Sequence, residues 1–158
     1  MKNGKSLLVN GAIALVGVLV LVFMSQAYLS VAGFSIGSGY DMMEISSGMP
    51  ARYVVLALAN IFVCVVAALL VLAAVLSILA DCGVIKSEKL AKVVNASKLV
   101  LTILAVVFAV LSLVMLIVIN QKDMNGMASM GWALIVNLVL AVLGLAAAVA
   151  SKLLNKKN

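Results

Sequence analysis

The sequence predicts an all-α integral membrane protein, one domain over residues 1–158, folded as a four-transmembrane-helix antiparallel bundle with N- and C-termini cytoplasmic. Composition is the first observation behind this reading. Of 158 residues, 66% are hydrophobic and 10% charged, with a mean hydropathy of +1.33; a soluble domain is about half apolar and about a quarter charged. The second observation is a set of four charge-free runs, Leu7–Tyr28, Tyr53–Ala80, Leu99–Ile119 and Trp132–Ala150. Each is near the roughly 20 apolar residues that a bilayer-spanning helix needs. The third is the placement of the cations. Lys2, Lys5, Lys86, Lys89, Lys92, Lys98, Lys152, Lys156 and Lys157 fall on one side of such a bundle, and only Arg52 and Lys122 on the other, nine against two. Segments rich in Lys and Arg stay cytoplasmic. The same bias accounts for the net charge of +6 without nucleic acid as a partner. The expected location is the cell membrane, multi-pass, with the lipid bilayer and other membrane proteins as partners.

The first run follows a basic start, Met1–Lys5, and ends near Ser25-Gln26-Ala27, which resembles a signal-peptidase site. The run is longer than the roughly 7–15 residues of a secretory apolar core, so the first helix is expected to be retained. The second run would be about 42 Å long at about 1.5 Å per residue. Hydrocarbon is about 30 Å thick, so this helix tilts or protrudes. Gly83, after Asp81-Cys82, is suited to a left-handed cap. The third helix is expected to start outside the membrane near Ser87. One of its faces would carry Leu90, Val93, Val94, Ser97 and Leu101, and the other Glu88, Lys89, Lys92, Asn95 and Lys98. This predicts a cytoplasmic extension packed on the second helix with solvated lysines. Alternatively, Lys86, Lys89, Lys92 and Lys98 form a docking face for anionic lipid headgroups or a cytoplasmic partner. The fourth span opens on Trp132, a residue suited to the membrane interface.

Helices in lipid associate through close packing of small residues and through interhelical hydrogen bonds. The second span offers Asn60, Cys64 and Ala68 at four-residue spacing, the third Ala105, Ala109 and Ser112, and the fourth Gly144 and Ala148. Gly11 and Gly17 are more loosely placed in the first. Asn60, Ser112 and Asn137 lie at similar depths below the outer surface. An amide facing lipid leaves its hydrogen-bonding groups unsatisfied. These three are therefore expected to turn inward as a polar layer, either structural or lining a pore. Cys64 and Cys82 stand too far apart on one helix to form an intrachain disulfide.

The missing residues bound the chemistry. The chain has no histidine, and no Asp, Glu, Lys or Arg falls inside an expected span. Serine–histidine catalysis, a zinc site and a proton-coupled carrier lack their usual groups. Neither an enzyme nor a cofactor is expected. The first outer loop holds Gly33, Gly37, Gly39 and Gly48, with Asp41 and Glu44 as its only acids. It reads as an ordered irregular cap or a short re-entrant hairpin.

Six of the nine methionines lie in the outer loops. Met124, Met127 and Met130 are three residues apart and would share one face of a helix. Thioethers are soft ligands suited to Cu(I). Asn125-Gly126, however, is a turn signal that would interrupt the stripe. Methionine also serves as flexible apolar filler.

In topology alone the chain resembles claudins, tetraspanins, connexins, MARVEL-type proteins and small multidrug transporters. It lacks the marks of the claudins, tetraspanins, connexins and multidrug transporters: it has no cysteine in an outer loop and no acid in the first span. The reading that follows is a non-enzymatic tetraspan protein acting as a structural or assembly component, homo-oligomeric or part of a larger membrane complex. An oligomeric channel or pore and a Cu(I)-handling membrane protein are the alternatives.

Overall fold

The computed structural model describes residues 4–31, 34–43 and 45–157. Lys2, Gly33 and Glu44 lie outside the described residues. Four helices are long and apolar enough to cross a membrane: α1 (Gly4–Phe23), α2 (Ala51–Asp81), α3 (Glu88–Asp123) and α4 (Trp132–Lys157). Each of α1 and α3 packs against both α2 and α4. The core has two parts. One includes Met24, Tyr28, Val63, Leu116, Ile119 and Leu134. The other is Ile13, Leu70, Ala74 and Ala148.

Local chemistry sets the helix ends. Ser87 caps α3, its hydroxyl accepting the Leu90 N–H at 3.3 Å, one of the orphan donors of a helix start. At the end of α2, Gly83 has φ +78. The Gly83 N–H donates to the Ala80 carbonyl at 3.1 Å and the Val84 N–H to the Leu79 carbonyl at 2.9 Å. This is the left-handed Schellman ending that glycine favours. Met124 closes α3, after which Asn125 (φ 50) and Gly126 (φ 76) turn the chain. The Met127 N–H donates to the Met124 carbonyl at 2.9 Å. Positive φ at both central positions makes this a type I′ turn.

The loops after α1 and α3 hold more regular structure than expected. α1 stops at Phe23, short of Tyr28, and Tyr28 belongs to strand β1 (Ala27–Val31). β1 pairs antiparallel with β2 (Phe34–Ser38), and on its other edge with β3 (Ala128–Met130). The sheet order is β2-β1-β3, so backbone hydrogen bonds join the α1–α2 and α3–α4 connections. Gly39 returns the chain over Tyr28; a Cβ there would stand 2.9 Å from Tyr28 Cζ and 3.1 Å from the Met24 carbonyl. Beside the sheet, Arg52 at the start of α2 donates twice to Asp123 at the end of α3, at 2.8 and 2.6 Å. The Tyr53 hydroxyl donates to the same carboxylate at 2.8 Å. The Trp132 ring meets Phe23 edge-on at 5.5 Å between centroids. These contacts define a sheet end of the molecule. The opposite, terminal end holds Ser6, Asp81 and Lys98.

Candidate functional site

The helices bring polar groups together in three places. The first is the centre of the bundle. Asn60, Ser112 and Asn137 are all buried and line one cavity of about 20 Å³. Such a space holds about one water. Ser112 donates to Asn60 Oδ1 at 2.8 Å. Asn137 lies apart from that pair in its bonding: its Nδ2 donates to the Tyr28 hydroxyl and to the Val20 carbonyl. Among the described residues, Asn60 Nδ2 and Asn137 Oδ1 have no hydrogen-bond partner in the protein.

The small residues sort by helical geometry. Ala109, Gly144 and Ala148 are buried, and Ala105 is half-buried against the cavity. Asn60 is buried, Cys64 half-buried and Ala68 exposed, so Ala68 is not an interior packing residue. Each four-residue step rotates about 40° past a full turn, which carries the strip round to the outside by Ala68. The interior of α2 instead follows Val63, Ala67, Leu70 and Ala74. Gly17, read as loosely placed, makes the tightest approach. A Cβ on it would stand 2.6 Å from Val71 Cγ2 and 3.0 Å from the Ala67 carbonyl oxygen.

The second place is the terminal end, where Lys98 corrects the sequence reading. It was expected on a solvated face with Lys86, Lys89 and Lys92. Those three are exposed, but Lys98 is only 2% exposed. Its ammonium donates to Asn10 Oδ1 at 2.6 Å. The Asn10 Nδ2 donates to Asp81 Oδ2 at 3.3 Å, and the Ser6 hydroxyl to the same oxygen at 2.8 Å. Asn10 on α1 therefore relays between a carboxylate on α2 and an ammonium on α3. The periodicity of α3 alone points Lys98 outward. The acceptor that draws Lys98 inward is on another helix, and a buried charge needs such a partner. The available signal was Asn10, a polar residue inside the first apolar run that no neighbour in sequence could satisfy.

The third place is a cleft of about 390 Å³ at the sheet end, lined by Met42, Met49, Met124, Asp41 and Tyr53, among others. The methionine stripe does not form. Met124 packs half-buried on the core at the end of α3, Met127 is 75% exposed, and Met130 lies in β3 and packs on the core. The type I′ turn and the strand replace the helix that the even spacing required. Asp41 accepts the Ser38 N–H at 2.9 Å and the Ser38 hydroxyl at 3.1 Å. These bonds, the backbone one foremost, hold its carboxyl below the usual carboxylate range. Among the described residues, no group of three or more His, Cys, Asp or Glu could hold a metal ion.

Four long apolar helices with Asn10, Asn60 and Asn137 turned inward give the chain the architecture of a multi-pass helical membrane protein. Beyond that class, comparison with family models, with curated proteins and with solved structures gives no match.

Proposed function

We propose that this chain is a non-enzymatic structural or assembly component of a cell membrane. In this reading its four helices form an antiparallel bundle with both termini cytoplasmic. It works by packing against further copies of itself or against other subunits of a larger membrane complex. The observation that carries the reading is the closed interior. The central polar groups mostly bond one another around a space of about 20 Å³, room for about one water. A passage through one chain would need far more. A pore between chains would run along outward faces, where α2 and α3 present Leu58, Val65, Val107 and Val114.

Asn60→Leu tests this. As structural glue, the Asn60–Ser112 bond contributes about 0.6–2 kcal/mol. The variant is expected to unfold earlier in detergent by that amount, and neither it nor the parent should conduct in planar bilayers. A conductance in the parent that Asn60→Leu alters, with stability unchanged, would replace the assembly reading by the pore.

One observation favours a second reading. Met42, Met49 and Met124 line a single cleft on the sheet end, and thioethers are Cu(I) ligands. Anaerobic Cu(I) loading of the full chain tests it. Stoichiometric copper that is lost in Met42→Leu/Met124→Leu but kept in Met127→Leu would support it. Absence of bound copper in the parent would remove it.

A further inference from the structure

A cleft of about 480 Å³ opens between α3 and α4 at the terminal end. Its polar lining is Lys92, Asn95 and Lys98 from α3 with Ser151 and Lys152 from α4. Its apolar lining includes Leu99, Val100 and Ala148. The volume lies within the range of small-molecule pockets, about 300–1,000 Å³. No acid lines it. Of the nearby carboxylates, Asp81 is engaged by Ser6 and Asn10 and also attracts the Lys98 ammonium, and Glu88 is exposed in the first turn of α3.

We propose that this cleft binds the phosphate headgroup of an anionic phospholipid. Lys98 is the built part of the site. An ammonium has three N–H donors, and among the described residues Lys98 uses one, on Asn10. It lines the cleft while 2% exposed, so its charge sits in surroundings where an anion is drawn strongly. Asn10, which is not among the residues lining the cleft, holds the ammonium at 2.6 Å. Lys92 and Lys152 are exposed at the mouth, and with Lys98 they place three cations around one cleft.

Depth points to a lipid as the source of the phosphate. Lys98 directly precedes the charge-free run 99–119, and Ser151 and Lys152 directly follow the run 132–150. The cations therefore lie where headgroups lie. Leu99, Val100 and Ala148 continue from them along the apolar runs, where an acyl chain can follow. Basic pockets between helices suit anionic headgroups in this way. Lys86 and Lys89 are equally exposed but do not line the cleft.

That difference supplies the control. The full chain in neutral detergent would be titrated with dioleoyl phosphatidylglycerol or dioleoyl phosphatidylcholine, with thermal midpoint and bound lipid as readouts. A ligand that binds only the folded state raises the midpoint in proportion to its affinity. Phosphatidylglycerol is expected to bind saturably and phosphatidylcholine not to. Lys92→Gln/Lys152→Gln is expected to weaken phosphatidylglycerol about 30-fold, from about 1 kcal/mol per lysine. Lys86→Gln/Lys89→Gln removes the same charge and should change affinity by less than about threefold, since screening confines exposed charges to their own surroundings. Equal losses in the two double variants would reduce the effect to diffuse attraction and overturn the site. No preference between the two lipids would also overturn it. Inorganic phosphate that displaces phosphatidylglycerol at millimolar concentration would make the cleft an ion site.

Discussion

Asn10→Leu is expected to destabilise the protein by about 3 kcal/mol, read as an earlier unfolding transition in detergent. Asn10 and Lys98 are each 2% exposed, and the Lys98 ammonium rests on Asn10 Oδ1 at 2.6 Å. Leucine keeps the branching and heavy-atom count of asparagine, while the ammonium loses its acceptor. A hydrogen bond to a charged group contributes about 1.5–3 kcal/mol, and leaving a buried charge uncompensated costs about 3–5 kcal/mol. Asp81 loses its Asn10 donor as well but keeps Ser6. Lys98→Met should cost only about 1 kcal/mol, because it removes the charge along with its need for a partner. The double variant Asn10→Leu/Lys98→Met should then be more stable than Asn10→Leu alone by about 2 kcal/mol, a coupling typical of residues in one network. Additive losses in the cycle would show that Asn10 and Lys98 do not act on one another.

The second large effect is expected at Gly17. Isoleucine there should cost about 3 kcal/mol, the upper part of the usual range for overpacking. The Val71 side chain, 2.6 Å from the site of the new Cβ, can rotate away. The Ala67 carbonyl oxygen at 3.0 Å belongs to the backbone of α2 and cannot. The helices must separate, and in lipid close backbone approach is itself a main source of association. Gly11→Ile on the same helix is the control, because a Cβ there meets nothing within 4 Å. Matching losses at the two positions would indicate a generic cost of replacing glycine in α1.

Much of the fold was legible in the sequence because lipid imposes simple rules. Apolar runs located the four helices, and Ser87, Gly83 and Asn125-Gly126 marked their ends through local chemistry alone. The small sheet was less visible. Its pairing of Leu29 with Met130 reaches across α2 and α3 in sequence, and no local pattern records such a register. The burial of Asn60, Ser112 and Asn137 follows from the cost of an amide in lipid. Their bonds to Tyr28 and to one another depend on which helices meet. Lys98 shows the same limit more sharply. Its place in an amphipathic stripe pointed outward, and only the combination of Asn10, Asp81 and Ser6 on two other helices turns it in. Ala68 failed for a geometric reason, since a four-residue period drifts around a helix, whereas the turn that interrupts the methionine stripe was legible in Asn125-Gly126.

The proposal that this chain works by assembly is tested most directly by the protein mass of the particle extracted in mild detergent, measured by light scattering with the detergent contribution subtracted. One copy contributes 16.4 kDa. The expected result is a particle holding at least two copies, or one copy with a second membrane protein, and stable on dilution. A particle of 16.4 kDa with no other chain bound would contradict it.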